Sequence, residues 1–170
     1  MAKLVKCVDF LKRLNGHYYY NNSAAIQSVT SGSWTKLTNN GLGTYTSTVE
    51  KVIGIDNMYN ISTQQFDFSG LSIGDEVRFR FTAVYTILSN NTEIGARMNM
   101  AVGHASNYQI QVRPDANFKS TGTETTKSEM TVTMDNQFTI DYPAQLEVHC
   151  DNNIQVQVTG YKIFVNKRNL

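Results

Sequence analysis

The sequence predicts an all-β domain, an antiparallel β-sandwich or barrel, led by a short helix-like arm. Three observations predict it. Val77, Phe79, Phe81, Ala83, Tyr85 and Ile87 fall on every second position, the period of a strand with one buried face. Further short segments alternate in the same way, divided by Asn-, Asp- and Gly-containing turns roughly every ten residues. The polar residues are dominated by 17 Asn, 18 Thr and 12 Ser. Asn and Ser favour turns and Thr favours strands, so this composition suits many strands joined by many loops. The helix–strand alternation of a parallel sheet is missing.

Residues 2–14 differ from the rest. Leu4, Val8, Leu11 and Leu14 recur at three- to four-residue intervals, with Lys3, Lys6, Lys12 and Arg13 on other faces. This is the pattern of a short amphipathic helix, and Asn15-Gly16 is a plausible stop. The segment either attaches the domain to a partner or caps the domain's own core. The expected division is an arm over residues 1–22 and a sandwich over 23–170.

Beyond the arm, Ala24 to Thr30 reads as a strand, Ser31-Gly32-Ser33 as a turn and Trp34 to Leu37 as a short strand. Asn39-Asn40-Gly41 turns again, Thr44 to Val49 alternates, and residues 50–65 are irregular. The long strand over 77–88 follows, and Ser89 to Thr92 resembles a hairpin connection. Ile94, Ala96, Met98, Met100 and Val102 form the return strand, and Tyr108, Ile110 and Val112 alternate up to Arg113-Pro114. Residues 119–129 are polar and suit an exposed loop or an edge, after which Met130, Val132 and Met134 resume the pattern. Asp135-Asn136 and Asp141-Tyr142-Pro143 turn. Leu146, Val148 and Cys150 lead through Asp151-Asn152-Asn153 to Ile154, Val156 and Val158. Gly160 breaks the phase before Tyr161, Ile163 and Val165, which signals a β-bulge. The total is about eight to ten strands.

The outer positions of the long strand change from Arg78, Arg80 and Thr82 to Val84, Thr86 and Leu88. A half-apolar outer face suits contact with a second surface. Val84 and Leu88, with Trp34, are the expected subunit contacts, since large aromatics dominate cores and interfaces.

Composition limits the function. A net charge of +1 with 17% charged residues is too balanced for a protein that depends on nucleic-acid phosphates. Cys7 and Cys150 form no CxxC motif and are expected as free thiols. No run approaches the roughly 18 apolar residues of a membrane span. Lys6, Asp9, Lys12 and Arg13 interrupt any signal-peptide core, so synthesis in a cytoplasm is expected.

The chemistry-bearing residues are sparse. His17, His104 and His149 share no metal-ligand spacing, and His149 and Cys150, adjacent on a strand, point to opposite faces. No nucleophile or phosphate-loop motif occurs. Asp67 and Asp75 fit turn capping better than acid catalysis. No enzyme activity, cofactor or metal is expected. Tyr18, Tyr19 and Tyr20 could stack on sugar faces, although successive strand residues face both sides and at least one must be structural.

One family resemblance follows. Ser31-Gly32-Ser33-Trp34, the Asn-Asn-Gly-Leu-Gly-Thr-Tyr-Thr run at 39–46, and Phe66-Asp67-Phe68-Ser69 with Leu71 and Ile73-Gly74-Asp75 carry it. The long hairpin and the closing strands from Ile154 to Val165 complete it. Over about residues 24–166 the chain resembles the jelly-roll proteins of tailed-phage virions, of the C1q/TNF-like type. The resemblance implies a homotrimer that serves as a head decoration or cement protein, a knob or a fibre tip. It implies partners in the major capsid protein or another virion protein, a place on the particle surface, and no catalytic residue. The chain shows no long shaft ahead of the domain, which favours a small accessory protein seated on a lattice through residues 1–20. A receptor-binding tip that recognises a host surface glycan is the alternative.

Overall fold

The computed structural model describes residues 14–20, 25–40 and 51–168, with the backbone alone at 113–115. Eleven strands and one short helix make up these residues. In the first sheet β1 (Asn15–Tyr20), β11 (Ile154–Asn166), β6 (Glu76–Ile87) and β9 (Gly122–Thr133) lie in that order, and β2 (Gln27–Val29) also pairs with β11. The second sheet runs β3 (Thr35–Lys36), β10 (Gln145–Cys150), β7 (Thr92–Met100) and β8 (Tyr108–Phe118). A small ribbon, β4 (Tyr59–Asn60) with β5 (Gln65–Phe66), and the helix α1 (Gln137–Asp141) complete the domain. All the pairings are antiparallel. The strand orders 1-11-6-9 and 3-10-7-8 form a jelly roll, two packed sheets between which the chain repeatedly crosses.

The predicted β6–β7 hairpin is corrected by this topology. The two strands follow each other in sequence but do not pair: β6 lies between β11 and β9, and β7 between β10 and β8. The turn at Ser89–Asn91 carries the chain from one sheet to the other, helped by a positive φ of 55° at Asn91 and a hydrogen bond from Thr92 Oγ1 to the Ser89 carbonyl at 2.6 Å. Alternation predicts both strands equally well whether they share a sheet or face each other across the core.

The inward row of β6 lies alongside that of β11, where Ile154, Val156, Val158, Tyr161, Ile163 and Val165 are buried. The register between these strands shifts between Val158 and Gly160, which is the bulge that the sequence phase predicts. One extra residue moves the inward positions from even to odd numbers, so both halves of β11 face the core. Ile94, Ala96, Met98 and Met100 of β7, with Leu146, Val148 and Cys150 of β10, close the core from the other side. The β4–β5 ribbon plugs one end of the sandwich with rings. Phe66 stands 5.1 Å from each of Tyr59, Phe79 and Tyr161, centroid to centroid.

The ends of the sandwich are tied by polar side chains, which accounts for the Asn-rich composition. At the crown, Asn90 Oδ1 accepts the Thr121 N–H at 3.1 Å, Asp151 Oδ1 accepts that of Glu93 at 2.7 Å, and Asn153 Oδ1 accepts that of Ser31 at 2.9 Å. At the opposite end, the base, Asp75 is fully buried and accepts the N–H groups of Ser72 and Arg168, each at 2.9 Å. Asp67 accepts the Ser69 N–H at 2.9 Å. Both aspartates therefore cap turns.

Two expectations about extent change, and a third holds in its edge form. Residues 15–20 fall within the expected arm but form β1, an edge strand paired with β11 from Asn15↔Asn166 to Tyr20↔Tyr161. In the polar stretch 119–129, expected as a loop or an edge, residues 119–121 form a turn and residues 122–129 begin the edge strand β9. The strand expected to stop at Arg113-Pro114 runs on to Phe118. Its register shifts around Pro114, and β8 is an edge strand, where a missing N–H is tolerated. The run at 44–49 and arm residues Leu4, Val8 and Leu11 lie outside the described residues. Leu14 is half-buried, and its carbonyl accepts the Lys167 N–H at 2.9 Å.

Phe66→Ala should cost roughly 3–5 kcal/mol, the range for truncating a buried phenylalanine, as measured by urea unfolding.

Candidate interaction surfaces

The three tyrosines of β1 divide by strand alternation. Tyr18 and Tyr20 point inward and are 1% and 7% exposed, while Tyr19 lies on the outer face, half-buried. The Tyr18 hydroxyl donates to the Ile55 carbonyl at 2.8 Å and accepts the Val52 N–H at 3.2 Å. The Tyr20 hydroxyl donates to Asn57 Oδ1 and accepts the Met58 N–H at 2.9 Å. Burial pushes the Tyr18 phenol up to about 12 and raises that of Tyr20. These two rings pin residues 52–58 to the first sheet. A sugar platform built from all three tyrosines does not form, and Tyr19 alone faces outward.

On the outer face of the first sheet Tyr19 stands near His17 and Phe164. The His17 and Phe164 rings meet edge-on at 4.9 Å, and the Arg78 guanidinium lies 4.6 Å above the Phe164 ring.

The outer face of the second sheet carries a network that the sequence did not reveal. Its centre is Glu147, which points outward on β10 yet is only 5% exposed. Gln145 Nε2 and Asn99 Nδ2 donate to Glu147 Oε1 at 2.6 and 3.1 Å, and Arg97 Nε donates to Oε2 at 2.7 Å. Burial acts to raise the carboxyl. The hydrogen bonds from Gln145, Asn99 and Arg97, with the Arg97 charge, outweigh it and hold Glu147 below the ordinary value of 4.5. Arg97 also lies 3.9 Å above the Trp34 ring, which tilts against His149 at 5.3 Å. Trp34 immediately precedes β3 and the others sit at ordinary outward strand positions, so only the register β3-β10-β7 brings them together.

The residues expected at a subunit contact do not share one surface. Trp34, 40% exposed, lies on the second sheet. Val84 is half-buried on the outer face of the first sheet, opposite Thr125 and Gln157. Leu88, 51% exposed, belongs to the crown. The three histidines also separate. His17 is on the first sheet and His149 on the second, and His104 stacks on Phe138 beside α1 at 5.0 Å. Among the described residues no three of His, Cys, Asp and Glu gather as metal ligands, and no helix is long and apolar enough to cross a membrane. Cys150 faces the core with its thiol pKa raised by burial, and Cys7 lies outside the described residues. An open depression of about 300 Å³ beside β4 is lined by Asn57, Tyr59, Asn60, Ile61 and Asp67. Its Asn57 and Asp67 carboxamide and carboxylate oxygens serve Tyr20 and Ser69.

No known protein family matches the sequence, and no curated protein matches it. Solved structures do. The chain is similar to a structure of the T13 viral particle of infectious bursal disease virus, at 8% identity over 91% of this chain and 31% of the other, with a TM-score of 0.52. T=1 particles derived from infectious bursal virus match at 9% identity over 90% of this chain and 32% of the other, also with a TM-score of 0.52. The Eiger TNF of S. frugiperda matches at 8% identity over 92% of this chain and 94% of the other, with a TM-score of 0.44. The chain spans about a third of the length of the viral chains it matches. At such identities the likeness establishes the fold alone, because one fold hosts many roles.

Tyr18→Phe should lower stability by about 1–2 kcal/mol by freeing two backbone groups, measured by thermal or urea unfolding. Glu147→Gln should cost about 2 kcal/mol at neutral pH, since it removes a buried charge-assisted network. A lowered carboxylate pKa adds stability above the unfolded-state value, and that stability is lost as pH falls through the folded-state value. The gap between the parent and Glu147→Gln should therefore narrow as pH falls below the ordinary carboxylate range and close below the folded-state value. A constant gap down to lower pH would show that Glu147 acts without its charge.

Proposed function

We propose that this chain is a structural virion protein. In the finer form of this reading it is a homotrimeric jelly roll of a tailed bacteriophage, displayed on the particle surface as a capsid decoration or cement protein. It acts without catalysis, is made in the host cytoplasm and binds the major capsid protein or another virion protein. The observation that carries the reading is the complete jelly-roll strand order in both sheets, joined to the likeness to viral particle structures over nine-tenths of the chain. The sequence resemblance to phage jelly rolls supports the phage and trimer assignments. Mechanically, an oligomer that touches several shell subunits at once gains effective concentration at each contact. Because it binds the assembled shell alone, it stabilises that shell by linkage.

A second reading, a receptor-binding tip for a host surface glycan, is favoured by one observation. The half-exposed Trp34 shares the outer face of the second sheet with the amide side chains of Gln145 and Asn99, a ring and planar amides on one face being residue types that suit sugars.

Sedimentation velocity should give three times the mass of one chain, and a monomer at every concentration would count against the trimer. Immunogold labelling of virions from the source should decorate the head. Label confined to tail or fibre ends would favour the glycan reading, and loss of glycan binding in Trp34→Ala would then locate it. Deleting residues 1–13, which spares β1, should abolish particle binding and leave the oligomer intact. Retained binding would remove the arm from the attachment mechanism.

A further inference from the structure

We infer that the base half of the outer face of the first sheet is a docking surface for an acidic segment of a protein partner. Strand register sets out the face. Phe164 lies between His17 and Arg78 in one cross-strand row, Lys162 between Tyr19 and Arg80 in the next, and Lys127 is paired with Thr82 in a third. At about 4.8 Å between strands, the four-strand width spans roughly 15 Å. Arg78, Arg80, Lys162 and Lys127 share this face with two carboxylates, Glu129 and, at its base end, Glu76, which is paired with Arg168. The whole chain has a net charge of +1, so the positive charge is concentrated here rather than spread.

The rings on this face hold cations in place. The guanidinium groups of Arg78 and Arg80 lie 4.6 and 5.9 Å from the Phe164 centroid, and the Lys162 ammonium lies 5.2 Å from that of Tyr19. Cation–π contact restrains long side chains that would otherwise lose entropy on binding. It also sets a cation against each ring, so that ring and charge are presented together. Glu129 shows the ligand chemistry that the face accepts. Its carboxylate meets Arg80 at 2.5 and 2.7 Å and reaches Arg78 loosely, at 3.7 Å. Arginine forks suit such planar carboxylates.

The sequence that precedes β1 is also basic, with Lys3, Lys6, Lys12 and Arg13 against Asp9. The inference holds for any acidic protein partner, so its failure would leave the virion proposal standing.

The test uses the full chain and immobilised poly-L-glutamate at about pH 8.5. This is above the sequence pI of about 7.7, so net charge alone would repel the protein from the matrix. Retention is expected at low salt and should be lost by about 0.5 M. Arg78→Gln with Arg80→Gln should weaken retention at least tenfold. Lys36→Gln with Lys119→Gln, an equal change of charge away from this face, should leave it unchanged. Lys162→Gln with Lys127→Gln gives a second route to the same loss if the arginine pair fails to fold. Lack of retention, or equal loss in the Lys36/Lys119 control, would overturn the inference. So would stronger retention on heparin than on poly-L-glutamate, which would point to a sulfated glycan instead.

Discussion

The pairing of β6 with β11 is the constraint on which the rest of the structure depends. It joins residues 76–87 to 154–166, and the other strands of the first sheet attach to one member or the other: β1 and β2 to β11, and β9 to β6. The same pair supplies the first sheet's central wall of the core. Its bulge reconciles two demands, since the backbone must stay in register with β6 while the apolar residues of β11 change from even to odd positions. A strand without the extra residue would turn Tyr161, Ile163 and Val165 to solvent. Tyr161 in turn closes the ring cluster around Phe66, so the register of the central pair and the position of the β4–β5 plug are fixed together.

Both outer faces use aromatic rings in the same way. Phe164 on one sheet and Trp34 on the other each lie beneath an arginine, and each arginine also reaches a carboxylate, Glu129 or Glu147. The difference is solvation. Glu147 is nearly enclosed and fully bonded, so its network behaves as a rigid structural patch. Glu129 and its arginines remain partly exposed, which makes that face the more responsive to salt and to competing anions. Inside the domain, rings serve a third purpose. Tyr18 and Tyr20 use their hydroxyl groups to hold an irregular segment whose backbone would otherwise lack partners.

Strand existence was legible in the sequence wherever one face is buried and the other wet, as in β6, β7, β10 and β11. The Gly160 bulge was legible because a phase change in alternation has one simple cause. Strand partners were not legible. A period of two records which face is buried and is silent on whether the next strand lies beside it or across the core, and so the β6–β7 connection resembles a hairpin in sequence. The tyrosine row hides its strand for a related reason: Tyr18 to Tyr20 have no apolar alternation, since rings occupy both faces. β9 was only half-visible because Thr123, Thr125 and Glu124 are exposed on both sides of an edge. The Glu147 network could not be found locally, because its members come from β7 and β10, some fifty positions apart, and acquire their meaning only through register.

The repeated crossing between sheets has a consequence for how the chain reaches this state. Apart from β7–β8 and the two-residue β4–β5 ribbon, the paired strands are distant in sequence, so few native contacts can form early and locally. Loop closure must come before reward, which places such a domain among the slow folders, on a scale of milliseconds to seconds. The β1 edge of the first sheet cannot settle until residues 154–166 have been made, because that strand lies between β1 and β6. A growing chain therefore passes through a period in which the apolar row of β6 is complete and its central partner does not yet exist. The inward-facing Glu124 and Ser128, opposite Tyr85 and Phe81 on the neighbouring strand, then act as gatekeepers, making β9 a poor template for premature pairing with other chains.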